Sequence, residues 1–270
     1  MRRAIAIDFL GKVPRTVDNG IASLFIATSV NNNVRTVSDT KRAFYTMHSR
    51  PLNSIYRRFV EELMVEMHLL SVNVDFRYDP IYALGVVTSY DRFMQGYRPE
   101  ADLTSIFDAI CQAVEQDPEK YRQDAQKLQE FAKSLSSENL LAWLSKEINL
   151  PESGEFQGFL DAIAANPKFK YSRIFAIGLF SIVEIVNPEM LKDEKQRTPA
   201  LEKISAALNL PGDKITKDLE LYSSNLEKMT QARQVMQDIL AADKKKREQR
   251  EKEKAAATNS SNSTDESSAN

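Results

Sequence analysis

One cysteine, two histidines and eight glycines in 270 residues exclude several kinds of protein at once. With Cys111 alone there is no intramolecular disulfide framework, and the chain carries no sign of having been built for an oxidising compartment. Cys111 sits in IFDAIC, a helical pattern in which a free thiol reads as a small buried apolar side chain. No stretch approaches the ~18 apolar residues of a membrane-spanning helix. The longest candidate, Ile21 to Val30, has ten residues and includes Ser23 and Ser29. Charge of one sign is lacking too: the formal net charge of −2 advertises no nucleic-acid or polyanion partner. Scarce glycine, with Leu, Ala, Glu, Lys and Gln abundant, favours helix over sheet.

Motifs of chemistry are missing as well. The chain has no G-x-S-x-G elbow, no Walker loop and no G-x-G-x-x-G phosphate cradle. A di-iron bundle needs Glu three residues before His on two helices, but Val65 precedes His68 and Tyr45 precedes His48 at that spacing. His68 reads as a boundary residue on its helix, and Glu61, Glu62 and Glu66 as the polar side of the same helix. Gly85, inside another predicted helix, reads as a site of close helix approach, and Trp143 as core. These readings predict no enzyme, no metal site and no cofactor. A competing reading keeps a small-molecule or enzymatic pocket near Arg77, Tyr78, Asp79 and Tyr90. Its bland counterpart makes Asp79 a helix cap and pairs Arg77 with Asp75 or Asp79.

What the chain does have is helix punctuation. Ser38 is the expected cap of a first helix through Met47, and Asn53 or Ser54 opens a long second one. There Tyr56, Phe59, Val60, Leu63, Met67 and Leu70 form one apolar stripe. Asp79-Pro80 and Asp117-Pro118 are paired start signals, with the aspartate as cap and proline at the first helical position. Asp102 to Val114, Ser137 to Ile148 and Gly154 to Ala165 read as further helices. Tyr171 to Val186 is the most apolar stretch and the expected central helix. Thr198-Pro199 is expected to begin another helix, ending near Leu208.

From Asp213 to about Ala257 there is neither glycine nor proline. Ile215, Leu219, Tyr222, Leu226, Met229, Arg233, Met236 and Leu240 recur at alternating steps of four and three, a heptad seam. Such a seam must be covered by the domain itself, a second copy or a partner, and these eight residues are the candidate partner-binding set. Arg233, its one polar member, is expected to disfavour a dry homodimer and to select a carboxylate. The charged run Asp243 to Lys254 holds seven basic and four acidic residues. It reads as solvated helix, with weak attraction to an anionic membrane surface as the alternative.

The expected fold is therefore all-α: a compact multi-helix bundle over residues 34–210, then a long coiled-coil-like helix over 213–257. Residues 258–270 read as a disordered Ser/Asn-rich tail. Residues 1–33 form an extension, read either as a targeting segment, after Arg2, Arg3, Lys12 and Arg15, or as a start codon called too far upstream.

Three blocks carry a resemblance. TVSDTKRAFYTMHSRPLNSIYRRFVEELMVEMHLL (36–70), FRYDPIYALGVVTSYDRFMQGY (76–97) and DPEKYRQDAQKL (117–128) resemble the thylakoid formation family, the photosystem II biogenesis factors of cyanobacteria and chloroplasts. The resemblance runs from about residue 34 to about residue 240. It implies an all-α protein that supports thylakoid organisation and photosystem II assembly or repair, without catalytic residues. It also implies the membrane-bound FtsH protease as partner, through a C-terminal coiled coil. The location it implies is peripheral, on the cytoplasmic face of a cyanobacterial thylakoid.

Overall fold

The computed structural model describes residues 35–262, with side chains through Glu253. The expected N-terminal extension, and residues 263–270 of the expected tail, lie outside the described residues. Among the described residues there are eleven α-helices and one short 3₁₀ turn, without a strand.

Helix α1 (Val37–Met47) is capped by Thr36, two residues before the expected Ser38. Thr36 accepts from the Asp39 amide and Asp39 reaches back to the Thr36 amide, a reciprocal capping box that outcompetes Ser38. Asn53 caps α2 (Ser54–Ser71), whose stripe from Tyr56 to Leu70 faces the core as the spacing demands. Asp79 caps α3 (Pro80–Phe93) through a 2.8 Å bond from the Tyr82 amide. Helices α4 (Asp102–Ala113), α5 (Pro118–Lys133) and α6 (Ser137–Leu144) follow. Asp102 does not cap α4; it is buried and accepts from Arg50. Trp143 is core, with its indole nitrogen donating to Gln157.

Past the 3₁₀ turn come α7 (Glu155–Ala165), α8 (Arg173–Val186), α9 (Pro188–Lys192) and α10 (Glu194–Ala207). Asp193 accepts from the Lys195 amide and starts α10 a full turn before the expected Thr198-Pro199, leaving Pro199 inside the helix. The last helix, α11, runs from Gly212 to Asn262, five residues beyond the expected end, since neither glycine nor proline stops it.

Two helices share the centre. The apolar α8 was expected there, but α3 is buried on every side from Pro80 through Tyr90, more than its stripe foretold. Small residues allow this. A Cβ built at Gly85 of α3 would stand 1.9 Å from the Ile174 carbonyl oxygen of α8, and one at Gly178 of α8 would stand 1.9 Å from the Ile81 carbonyl oxygen. The two backbones touch because both glycines lack a side chain. Around this pair the core extends through α2, α4 and α5 to the first turns of α11, so the long helix begins as part of the bundle.

Candidate functional site

The heptad seam of α11 is largely covered by the protein's own core. Ile215, Leu219, Tyr222 and Met229 are buried, Leu226, Arg233 and Met236 half-buried, and Leu240 is exposed. Burying four large side chains contributes about 2 kcal/mol each, which fixes the first half of α11 on α2, α3 and α8. Polar contacts follow the same line. Tyr171 donates to Asp218 at 2.7 Å, Arg92 bridges Glu184 and the Tyr222 hydroxyl, and the Asn53 amide reaches the Met236 sulfur at 3.6 Å. Burial raises the Tyr222 phenol above its ordinary pKa, with Arg92 pulling it back.

Arg233, the polar member of the seam, makes hydrogen bonds within the domain. Among the described residues it meets no carboxylate; its guanidinium donates to the Gln95 carbonyl at 2.7 Å and to the Thr230 hydroxyl at 2.8 Å. The Gln95 bond ties α11 to the backbone just past the end of α3.

Beyond this latch α11 presents exposed apolar side chains. Val235 is 58% exposed, Ile239 57% and Leu240 61%. At ~100° per residue, Val235, Met236, Ile239 and Leu240 span roughly 140° of the helix surface, wider than a coiled-coil seam. Val235 and Ile239 escape a heptad reading, because they lie beside the seam. Their signal is recoverable only once the seam's other occupant is known. The basic run Lys244 to Arg247 follows, exposed throughout.

Beside the buried half of α11 lies a cleft. Its inner part, about 510 Å³, is walled by Ile55, Phe59 and Leu63 of α2, Ser89 and Phe93 of α3, Ile174 and Ile177 of α8, and Tyr222, Met229 and Ala232 of α11. Phe59 and Phe93 stack there with ring centroids 4.5 Å apart. An outer basin of about 1320 Å³ shares Ser54, Arg58, Glu62, Glu66, Arg173 and Asn225 with it. The glutamates of α2 are all paired: Glu61 with Lys41 and Tyr45, Glu62 with Arg58, and Glu66 with Arg173. No sequence pattern marked this cleft, since its walls come from four helices.

The residues of the competing pocket reading, Arg77, Tyr78, Asp79 and Tyr90, do not line this cleft. Arg77 is exposed and donates to the Val74 and Phe76 carbonyls, pairing with neither Asp75 nor Asp79. Tyr78 donates to Asp124 and Tyr90 to the Leu103 carbonyl. Burial pushes the Asp79 carboxyl up to about 7, against the Tyr82 and Ile81 amides that favour its charged form. His68 is buried beyond its expected boundary place, 2.9 Å from the Thr40 hydroxyl. His48 meets Ser105 at 3.2 Å, and desolvation lowers both imidazole pKa values. The buried Cys111 thiol is pushed up to about 12 by burial. Among the described residues no cluster of His, Cys, Asp and Glu is placed to hold a metal ion.

Fold and surface thus define a class: an all-α bundle with a long C-terminal helix whose apolar face outruns the domain. Among the described residues no helix is long and apolar enough to cross a membrane. The chain belongs to the thylakoid formation protein family, whose model matches residues 36–251. It is 65% identical over 211 residues to protein Thf1 of Trichormus variabilis, covering 78% of this chain and 91% of that protein. To Thf1 of Nostoc punctiforme it is 62% identical over 213 residues, covering 79% and 91%. Among solved structures, one of Psb29 shares the fold with a TM-score of 0.68 and 42% identity, over 79% of this chain and 98% of that one.

Proposed function

We propose that this protein is a non-catalytic accessory factor of thylakoid biogenesis that supports photosystem II assembly and repair by binding the FtsH protease complex. The docking element in this reading is the second half of α11, and the location is the cytoplasmic face of a cyanobacterial thylakoid, peripheral to the membrane. The observation that carries it is the apolar face at Val235, Ile239 and Leu240, each more than half exposed on a helix that has left its own domain. Apolar side chains grouped in this way mark an interaction surface, because water penalises leaving them uncovered. The family and its Thf1 relatives support the thylakoid setting. The exposed run Lys244 to Arg247 adds attraction to an anionic bilayer of ~1 kcal/mol per basic residue, partly offset by Asp243, Glu248, Glu251 and Glu253.

The test is affinity capture of the tagged full chain from gently solubilised cyanobacterial membranes, beside a Val235→Asp, Ile239→Asp variant. Recovery of FtsH with the native chain and its loss with the variant supports the reading. Equal recovery from both moves the docking site off α11, and no FtsH from either removes the partner. Cutting the chain at Leu210 would not serve, since it strips Ile215, Leu219, Tyr222 and Met229 from the core.

A further inference from the structure

Helices α2 and α11 wall a groove, and their side chains meet along it in opposite chain order. Asn53, at the start of α2, reaches Met236. Further along α2, Glu66 pairs with Arg173, two residues from the Tyr171 that donates to Asp218. The outer basin and the inner cleft are two parts of this groove, sharing Arg58, Glu62, Glu66, Arg173 and Asn225. At 1.5 Å per residue its α2 wall runs about 18 Å from Arg57 to Leu69, and its α11 wall about 21 Å from Lys214 to Lys228.

The charges of the groove are unbalanced. Each acid in its lining is already engaged: Glu61 with Lys41 and Tyr45, Glu62 with Arg58, Glu66 with Arg173, and Asp218 with Tyr171. Arg57, Lys170, Lys214 and Lys228 also line it, are exposed and, among the described residues, form no ion pair. Lys214 rests over the Tyr171 ring at 5.0 Å, which fixes a cation without neutralising it. The whole chain has a formal charge of −2, so this positive excess is a local property. Apolar side chains stand among the cations: Leu69 on α2 is 55% exposed and Leu221 on α11 46%. The inner part adds Phe59, Phe93, Ile177 and Met229.

These features describe an occupant. Cations spread over the length of a groove cannot converge on one phosphate or sulfonate group; they meet acids spaced along a chain. The walls are helices whose backbone groups bond internally, so an extended segment would find no backbone partners, whereas a helix satisfies its own. A helix laid between two others also brings apolar residues at i, i+3, i+4 and i+7 to one line of contact.

We infer that the groove between α2 and α11 binds an acidic amphipathic helix of a partner protein. Its apolar stripe lies on Leu69, Leu221 and the inner cleft, and its carboxylates meet Arg57, Lys170, Lys214 and Lys228. None of these side chains belongs to the distal face at Val235, Ile239 and Leu240, so the inference stands or falls apart from the FtsH reading.

The experiment titrates the full chain into a fluorescently labelled, capped peptide of about 16 residues, ~24 Å as a helix, with leucine along one face and glutamate on the other. Saturable one-to-one binding that weakens as salt rises is expected. Lys170→Glu, Lys214→Glu should weaken it about ten-fold, and so should Leu69→Glu, Leu221→Glu. All four side chains are exposed, so both variants should melt with the native chain. Val235→Asp, Ile239→Asp should bind as the native chain does, and a peptide of the same composition in scrambled order should not bind. No saturable binding, equal binding of the scrambled peptide, or binding unmoved by the groove variants overturns the assignment. Loss confined to Val235→Asp, Ile239→Asp does so too, since the peptide then sits on the distal face. If the groove variants lose binding to phosphatidylglycerol vesicles but not to the peptide, the groove is a membrane contact and the assignment fails.

Discussion

The Arg233 guanidinium and the Gln95 carbonyl oxygen meet at 2.7 Å, joining the long C-terminal helix to the end of α3. The same oxygen accepts from the Tyr56 hydroxyl at 3.0 Å, so three helices converge on one backbone group. Beyond this point, among the described residues, the one hydrogen bond from α11 to the rest of the bundle is Asn53–Met236. Arg233→Ala should therefore cost about 1 kcal/mol of overall stability. Amide hydrogen exchange over residues 226–240 should quicken while exchange in α3 and α8 stays slow. Unchanged exchange on α11 would show that apolar packing alone holds the helix.

The contact of α3 with α8 makes a second prediction with two signs. Gly85→Ala drives a methyl group against the Ile174 carbonyl, so the central helices must part at about 3 kcal/mol. At ~2–4 °C per kcal/mol for a domain of this size, the Tm should fall by roughly 6–12 °C. Gly158→Ala, in exposed α7 with nothing near its Cβ, should instead raise stability by about 0.5–1 kcal/mol. Thermal unfolding of both variants checks the pair. Similar behaviour of the two would refute the close approach.

Asp79 gives the molecule a pH dependence of unusual direction. Its carboxyl titrates near 7 in the fold, where burial disfavours charge, against an ordinary value of 3.8. Between about pH 4 and pH 7 the unfolded chain has released this proton while the folded one retains it. Asp79 thus lowers stability progressively as pH rises through that window. Asp79→Asn keeps an effective cap without the charge. Urea unfolding should find variant and native chain alike near pH 4, with the variant more stable by pH 8. A variant less stable at pH 8 would mean that the Tyr82 and Ile81 amides and the helix dipole outweigh desolvation.

The buried histidines act with the opposite sign. Desolvation depresses the pKa of His48 and His68 below the ordinary 6.5. Their neutral forms hold the fold, and that contribution is lost as pH falls below about 6.5. Near His48 Asp102 opposes the depression and Arg50 adds to it; near His68 Asp39 opposes it and Arg35 adds to it. His68→Gln, which can still reach Thr40, should flatten the loss of stability between pH 6.5 and 5. An unaltered slope would exclude His68 as its source.

Much of this architecture is legible in the residues. The Asp79-Pro80 and Asp117-Pro118 pairs place two helix starts because an aspartate cap and a first-turn proline solve the same problem of unpaired amides. The stripe from Tyr56 to Leu70 predicts the buried face of α2. Local competition explains the misplaced starts: Thr36 with Asp39 overrides Ser38, and Asp193 overrides Thr198-Pro199. The surfaces are harder to read. A heptad seam states that apolar residues will be covered but not by what, and here the bundle covers most of them. The cleft beside α11 has no linear signature, because its walls meet only after α2, α3, α8 and α11 have packed.

The most direct test of the central claim is the affinity of the purified FtsH complex for the immobilised full chain, native and Val235→Asp, Ile239→Asp. Both substituted positions are exposed, so the two chains should unfold at the same temperature within a degree or two. The account predicts saturable binding to the native chain and at least ten-fold weaker binding to the variant, the loss of about 1.4 kcal/mol of apolar contact. Equal affinity for the two chains, or none for the native one, would contradict it.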